Sequence, residues 1–219
     1  MVKKIHILFS ILFLIQEAFA QKENKEKEWT LSKEKRGIKV YTRDRGNRGL
    51  KELKSVAEFK NVSLHQIAAV LKDVENAGEW TKELKRSTTL KVINEQESYE
   101  YYEINIPWPI KNRDVIYHIK TFQDPKDKSL NVIATSVPKY IPEKDGVVRI
   151  IESAGAWKFI PKGNGIVEVH NYLYADPIGF PAWLVNMLAI ESPIEVIEKF
   201  REMVKKPEYK NKHFNFIKE

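Results

Sequence analysis

The feature that most constrains the fold is a run of six segments with strand-like alternation, separated by turns and short loops. These segments span residues 87–94, 98–106, 114–123, 130–137, 147–160 and 166–175. A tight turn can join antiparallel neighbours, whereas parallel strands need a crossover of a dozen or more residues. The pattern therefore predicts a single α+β domain built on an antiparallel sheet rather than on βαβ units.

Shorter elements precede this run. Trp29–Lys35 is predicted as a short helix that Gly37 ends as a C-terminal cap. Residues 38–60 alternate around a glycine-containing turn and predict a hairpin. Ser63 is suited to cap a helix over residues 64–72, whose apolar positions share one face.

A long helix is predicted after Pro181, which suits a first helical turn. Pro193 lies in its interior and should kink it. The helix is either an ordinary core helix or one that crosses a curved sheet and leaves a space beneath it. Its apolar stripe consists of Trp183, Leu184, Met187, Ile190, Ile194, Ile197, Phe200, Met203 and Val204.

Composition excludes several classes of function. The chain has no cysteine, so disulfides, thiolate nucleophiles and zinc–thiolate sites are absent. Its formal net charge is +7, with lysines spread along the chain and no nucleic-acid-binding motif. The charge therefore favours weak attraction to anionic surfaces over specific reading of DNA, and an anionic membrane is as good a candidate partner as a nucleic acid. We expect transient contact with an anionic membrane surface and no nucleic-acid partner.

The first twenty residues have the three parts of a secretory signal peptide. Lys3 and Lys4 form a basic start, an apolar stretch follows, and Ala18-Phe19-Ala20 provides a small-x-small cleavage site. Residues 21–28 form a charged leader without apolar residues. We therefore expect an exported protein, either periplasmic or secreted.

The search for catalytic chemistry finds no convincing constellation. The five histidines lack metal-ligand spacing, and no nucleophile elbow is present. Glu100 and Glu103 are interpreted as solvent-exposed strand residues rather than paired acids. We expect no catalytic residues, no metal and no cofactor.

Ile106–Tyr117 is the most distinctive segment. Pro107 and Pro109 remove two backbone donors and exclude the interior of a paired strand. The segment is a rigid connection that delivers Arg113 and Asp114 to the start of a strand. These two residues are either a buried pair that anchors the strand or a surface ion pair.

Four segments, in this order, resemble START domains, the lipid-transfer domains related to steroidogenic acute regulatory protein. The resemblance covers about residues 29–206, followed by a polar tail over residues 207–219. The segments are NAGEW at 76–80, PWPIKNRDVIY at 107–117, PEKDGVVRI at 142–150 and DPIGFPAWLVN at 176–186.

The resemblance implies a helix-grip fold, in which a curved antiparallel sheet surrounds a long C-terminal helix and encloses a hydrophobic tunnel. It implies that one lipid is bound and carried without covalent chemistry, and we expect a monomer. The loop 123–129 and the start of the terminal helix would form the moving gate. Sterol-binding members carry a charged tunnel residue where this chain has Ile119, which disfavours a sterol.

Tunnel-lining candidates come from the strand segments and from the terminal helix. Together they suit a pocket with apolar walls and a few polar anchors. The alternative is an enzyme like the polyketide aromatase/cyclases of the same superfamily, with Tyr, Arg or His as acid–base groups. The candidates are Tyr102, Arg113, Val115, Tyr117, Ile119, Arg149, Asn171, Trp183, Met187 and Ile190.

Overall fold

A computed structural model describes residues 28–45 and 48–218. The predicted signal peptide and residues 21–27 of the charged leader lie outside the described residues. Export therefore stays a prediction.

Ten strands form one sheet in the order β1-β2-β3-β10-β9-β7-β6-β5-β4, with every neighbouring pair antiparallel. The short strand β8 lies off this path and pairs with β6 in parallel. The strands are β1 Thr30–Lys35, β2 Ile38–Asp44, β3 Lys51–Lys60, β4 Leu84–Asn94, β5 Glu97–Ile104, β6 Asn112–Gln123, β7 Leu130–Ser136, β8 Val147–Arg149, β9 Ser153–Gly163 and β10 Ile166–Ala175.

The helices cover one face of this sheet. Helix α1 (Leu64–Lys72) begins at Ser63, whose side chain accepts from the Gln66 amide while the Gln66 side chain accepts from the Ser63 amide. This capping box confirms the predicted start of the helix. A 3-10 helix follows, then the long helix α2 and the short helix α3, at Val74–Glu79, Ala182–Met203 and Pro207–Lys210.

The core lies where the C-terminal half of α2 and helix α1 pack on strands β2, β3, β9 and β10. Phe200 of α2 is fully buried, with its ring 5.4 Å from Trp157 and 5.8 Å from Phe59. Helix α2 continues through Pro193, which is itself buried. The predicted α+β fold, an antiparallel sheet with a long C-terminal helix, is confirmed.

The predicted helix at Trp29–Lys35 is wrong, because this segment is strand β1. Arg36 and Gly37 both have positive φ angles, 54° and 71°, and Lys35 pairs with Ile38 across them. Two consecutive residues with positive φ form the turn that suits a two-residue hairpin. Gly37 therefore does follow the end of a regular element, but it belongs to a hairpin turn and not to a helix cap.

Two other boundaries differ from the prediction. The predicted strand over 147–160 is two strands, because Val147–Arg149 leaves the antiparallel order to pair with β6. The predicted polar tail 207–219 is part of the domain, since Tyr209 and Ile217 are buried in the core. The Tyr209 hydroxyl also donates to the Asp73 carboxylate at 2.7 Å.

A buried ion pair joins β6 to β8. The Arg149 guanidinium donates to both Asp114 carboxylate oxygens, at 2.7 and 3.0 Å, and both side chains are almost fully buried. Arg149 also donates to the carbonyl oxygens of Pro138, Ile141 and Pro142. The pair therefore fixes the loop after β7 as well as the two strands. The predicted Arg113–Asp114 pair is wrong, because adjacent strand residues point to opposite faces.

Replacing Asp114 by Asn should destabilise the fold strongly. The Arg149 guanidinium would stay buried without a counter-charge, which typically costs about 3–5 kcal/mol. Urea denaturation measures this cost as the loss in the free energy of unfolding. Glu58→Gln, which removes the exposed Lys60–Glu58 pair, is the control and should cost under about 1 kcal/mol. Equal losses in the two variants would contradict the structural role assigned to Asp114.

Candidate ligand-binding site

The candidate site is the face of the sheet that α2 covers. Residues directly opposite each other on paired strands share a face. Tyr102 lies opposite Val115, Ile119 opposite Ala134, and Asn171 opposite Trp157 of the core. The register therefore places five of the predicted residues on this inner face, namely Tyr102, Val115, Tyr117, Ile119 and Asn171.

Two hydrogen-bonded polar groups lie on this inner face. The Glu100 carboxylate accepts from the Tyr102 hydroxyl at 2.5 Å and from the Ser98 hydroxyl at 2.7 Å. The Tyr117 and Ser153 hydroxyls are 2.6 Å apart, and Ser153 donates to the Tyr174 carbonyl. Because these groups sit among apolar neighbours, they can orient the polar part of a largely apolar ligand.

Glu100 is only 6% exposed, so its interpretation as a solvent-exposed residue was wrong. Burial raises the pKa of its carboxyl group, and the hydrogen bonds from Tyr102 and Ser98 oppose this rise. Burial also raises the pKa of Tyr102 well above its usual value, with a further contribution from Glu100. Glu103 is buried too, but on the other face of β5, where Lys85 and Asn112 donate to it.

A cavity of about 200 Å³ opens beside Glu100, between the end of α1 and the β4–β5 hairpin. Burial lowers the pKa of Lys72, the last residue of α1, while Glu100 and Glu95 oppose that effect. The wall of the cavity includes Lys72, Thr89, Ser98, Glu100, Ile119 and Val132.

Arg113 lies at the opposite end of β6 and holds the chain that leads into α2. Its guanidinium donates to the carbonyl oxygens of Pro177 and Ile178, both at 2.7 Å, and to that of Lys111. It also lies over the Phe180 ring, 4.7 Å from the ring centroid. Arg113 therefore ties the loop before β6 to the start of α2.

Arg149 is not a tunnel residue, and that prediction is wrong. It pairs in register with Asp114, which points away from the inner face because it adjoins Val115. All its hydrogen bonds in the structure go to Asp114 and to loop carbonyls. It supports the sheet from the outer side.

The helix residues predicted to line the tunnel are only partly enclosed. Trp183, Met187 and Ile190 continue the stripe of Ile194 and Ile197 at helical spacing. Ile190 is half-buried, but Trp183 is 68% exposed and Met187 is 55% exposed, so the protein's own described residues leave these two side chains largely open. The reason is that the sheet covers the stripe only toward its C-terminal end.

The predicted gate does not form one unit. The loop 123–129 follows the end of β6, whereas Arg113 and the start of α2 lie at its beginning, ten residues or about 30 Å away. Gln123 instead exchanges hydrogen bonds with the backbone of Lys218. The segment that adjoins the start of α2 is the 105–111 loop.

Sequence reasoning missed Glu100, Ser153 and Lys72 as site residues. Glu100 had a usable signal, since it alternates with Ser98 and Tyr102 on one side of a strand. Lys72 and Ser153 reach the site through tertiary packing, which local patterns do not encode.

Comparisons with known proteins agree with this architecture. The sequence model described as START domain matches residues 12–210. The chain belongs to the START domain family.

The relatives and structural neighbours come from bacteria and mammals. An uncharacterized protein of Pseudomonas aeruginosa is 29% identical over 82% of this chain and 88% of its own length. The mouse phosphatidylcholine transfer protein is 28% identical over 74% of this chain and 77% of its own length. The crystal structure of a STAR-related lipid transfer protein fragment from Xanthomonas axonopodis matches with a TM-score of 0.75 and 31% identity, covering 81% of this chain and 99% of the fragment. These matches confirm the predicted family and its helix-grip fold.

Two kinds of feature are absent from the part of the chain that the structure describes. Among residues 28–45 and 48–218, no helix has the length and apolar character needed to cross a bilayer. The same residues contain no cluster of three or more side chains that could hold a metal ion.

Glu100→Gln should change how stability depends on pH. The folded protein holds the Glu100 proton more tightly than the unfolded chain does, since burial raises the pKa of this carboxyl above 4.5. The contribution of protonated Glu100 to the free energy of unfolding is fully present below the ordinary pKa of 4.5. It is lost as the pH rises through the pKa of the folded state. The free energy of unfolding of wild type relative to Glu100→Gln should therefore fall from acid to neutral pH.

Urea denaturation at a series of pH values tests this expectation. Glu58→Gln, at an exposed position of β3, is the control, because it makes the same chemical change without removing a buried carboxyl. If the difference in the free energy of unfolding between wild type and Glu100→Gln does not change with pH, the raised pKa assigned to Glu100 is contradicted.

Proposed function

We propose that this protein binds one lipid between the inner face of the sheet and helix α2, and carries it without covalent chemistry. The observation that carries the proposal is the incompletely covered stripe of α2. Its C-terminal half is buried against the sheet, while Trp183 and Met187 on the same side of the helix are exposed. An acyl chain beneath this part of the helix would contact apolar side chains that the protein itself leaves open.

The free energy of transferring an acyl chain from water into an apolar site is large enough to retain a lipid. Each buried methylene contributes roughly 0.8 kcal/mol, so an acyl chain of about 16 carbons contributes on the order of 10 kcal/mol. Two of the similar proteins support lipid carriage, since they are named as lipid or phosphatidylcholine transfer proteins. The cyclase alternative stays a prediction that the experiment below also tests.

The proposed entrance lies where Arg113 joins the 105–111 loop to the start of α2. Trp108 is 92% exposed on that loop, and Ile110 is exposed beside it. Trp183 and Met187 are exposed at the start of the helix. Tryptophan is favoured at membrane interfaces, where its ring is partly apolar and partly polar. We infer that these two segments contact the membrane while the lipid enters or leaves.

Ala134→Trp should block lipid binding. Ala134 faces Gly155 across the inner side of β7 and β9, so no large side chain occupies the space between them. In a cavity, the indole should displace the acyl chain without the loss of about 1–3 kcal/mol in folding stability that overpacking a filled core typically causes. Native mass spectrometry after incubation with phospholipid vesicles measures the loading.

Ile133→Trp is the matched control, because Ile133 lies on the outer face of the same strand and is exposed. Loading equal to wild type in Ala134→Trp would contradict the proposed position of the lipid. A wild-type protein that never takes up lipid would contradict carriage itself. A bound lipid whose mass has changed would favour the enzyme.

Trp108→Ala and Trp183→Ala should each slow lipid transfer while leaving the fold intact. Both side chains are exposed, so their loss removes membrane contact without opening the core. Transfer of a fluorescent lipid between vesicles should slow several-fold, and the melting temperature should stay within about 2 °C. Ile93→Ala is the control, since Ile93 is also exposed but lies on the edge strand β4. The same loss of rate in all three variants would show that apolar exposure alone, not this entrance, sets the rate.

A further inference from the structure

The cavity beside Glu100 is a site separate from the proposed entrance. It lies between the last turn of α1 and the β4–β5 hairpin, and it reaches Ile119 and Thr121 on β6. Arg113 is eight residues from Thr121 along β6, about 25 Å at the usual rise of a strand. The cavity therefore lies at the far end of the inner face from the start of α2.

Its size suits a polar head group. Pockets for drug-sized ligands have volumes of about 300–1,000 Å³, so a cavity of about 200 Å³ is suited to a smaller group. Such a cavity admits a small polar group but not two acyl chains. The acyl chains would occupy the inner face under α2.

Two charged side chains of this cavity, Lys72 and Glu100, do not form an ion pair with each other. Lys72 and Glu100 both line it and attract each other, yet no ion pair joins these two described residues. Burial lowers the pKa of Lys72 and raises the pKa of Glu100, so each charged form lacks a sufficient partner. A ligand with a cation beside Glu100 and an anion beside Lys72 would supply both partners.

The free hydrogen-bonding positions of Glu100 and Lys72 restrict the class of ligand further. Each Glu100 oxygen already accepts one hydrogen bond, from Tyr102 or Ser98, and can accept another. Lys72 donates to the Glu95 carbonyl and has two further N–H groups for an anion. Since Glu95 and Glu100 give the wall two acidic residues against one lysine, a head group with only negative charge is disfavoured.

We propose that this cavity binds a zwitterionic lipid head group, with a primary ammonium donating to Glu100 and a phosphate accepting from Lys72. This inference rests on the proposed lipid carriage and specifies the class of lipid. A quaternary ammonium has no N–H group to donate, so it satisfies the Glu100 oxygens less well. Charge-assisted hydrogen bonds are about twice as strong as neutral ones, which makes the primary amine the preferred ligand.

Competition between lipids of equal chain length tests the assignment. Purified protein is incubated with vesicles of equimolar phosphatidylethanolamine, phosphatidylcholine and phosphatidylglycerol, and the bound lipid is identified by native mass spectrometry. Wild type should load phosphatidylethanolamine about tenfold over the other two, which corresponds to about 1.4 kcal/mol. Glu100→Gln should lose the preference over phosphatidylcholine, and Lys72→Met should lower phospholipid loading relative to an uncharged diacylglycerol.

Matched controls are Glu58→Gln and Lys120→Met, two exposed positions on strands β3 and β6. Both should keep the wild-type preference, and thermal unfolding verifies that all four variants fold. If wild type loads phosphatidylcholine as readily as phosphatidylethanolamine, or if Glu100→Gln keeps the preference, the head-group assignment is overturned while lipid carriage stands. If wild type loads no lipid of any class, the proposed function itself fails.

Discussion

The two-residue period of strand β6 organises this protein, because it sends two neighbouring charges to opposite faces of the sheet. Asp114 points outward and holds Arg149, which in turn fixes the loop after β7. Arg113 points the other way and holds the carbonyls before α2. A shift of one residue in the register of β6 would exchange these roles and leave both charges without partners. The outer support of the sheet and the attachment of its covering helix therefore depend on the same register.

The inner face combines apolar area with a few polar groups that lack full electrostatic compensation. The Asp114–Arg149 pair has bidentate geometry and additional carbonyl acceptors, so its burial is well compensated. Glu100 and Lys72 share a cavity without such contact. Buried charges that the fold leaves incompletely paired are more often found at binding sites than at structural ones. This contrast distinguishes the charged pair that supports the fold, Asp114 and Arg149, from the charged residues proposed to bind the ligand, Glu100 and Lys72.

Sequence patterns predicted the sheet and the long helix because both depend on local periodicity and turn residues. Ser63 and the alternating strands belong to this class. The same patterns misassigned Gly37, because a glycine with positive φ can end a helix or turn a hairpin, and only the pairing of Lys35 with Ile38 decides between them. Arg149 and Asp114 are 35 residues apart, and one sequence contains no signal for such a contact. The site was predicted where strand alternation defines a face, at Tyr102, Val115 and Tyr117, and was missed at Lys72, which packing brings in from helix α1.

The hydrogen bonds of Arg113 have a mechanical consequence. Its acceptors are main-chain carbonyls at residues 111, 177 and 178, so the joint does not depend on which side chains occupy those positions. Arg113 therefore attaches residues 177 and 178 to the sheet, whereas Trp183 and Met187 in the first turns of α2 are exposed. Asn186 joins these turns to the start of β3, because its side-chain NH2 donates to the Gly49 carbonyl and its side-chain oxygen accepts from the Lys51 amide. Loss of the Asn186 amide would remove both of these hydrogen bonds and leave the Arg113 contacts in place, so the attachment of α2 to β3 can change independently of the attachment of the chain that precedes it.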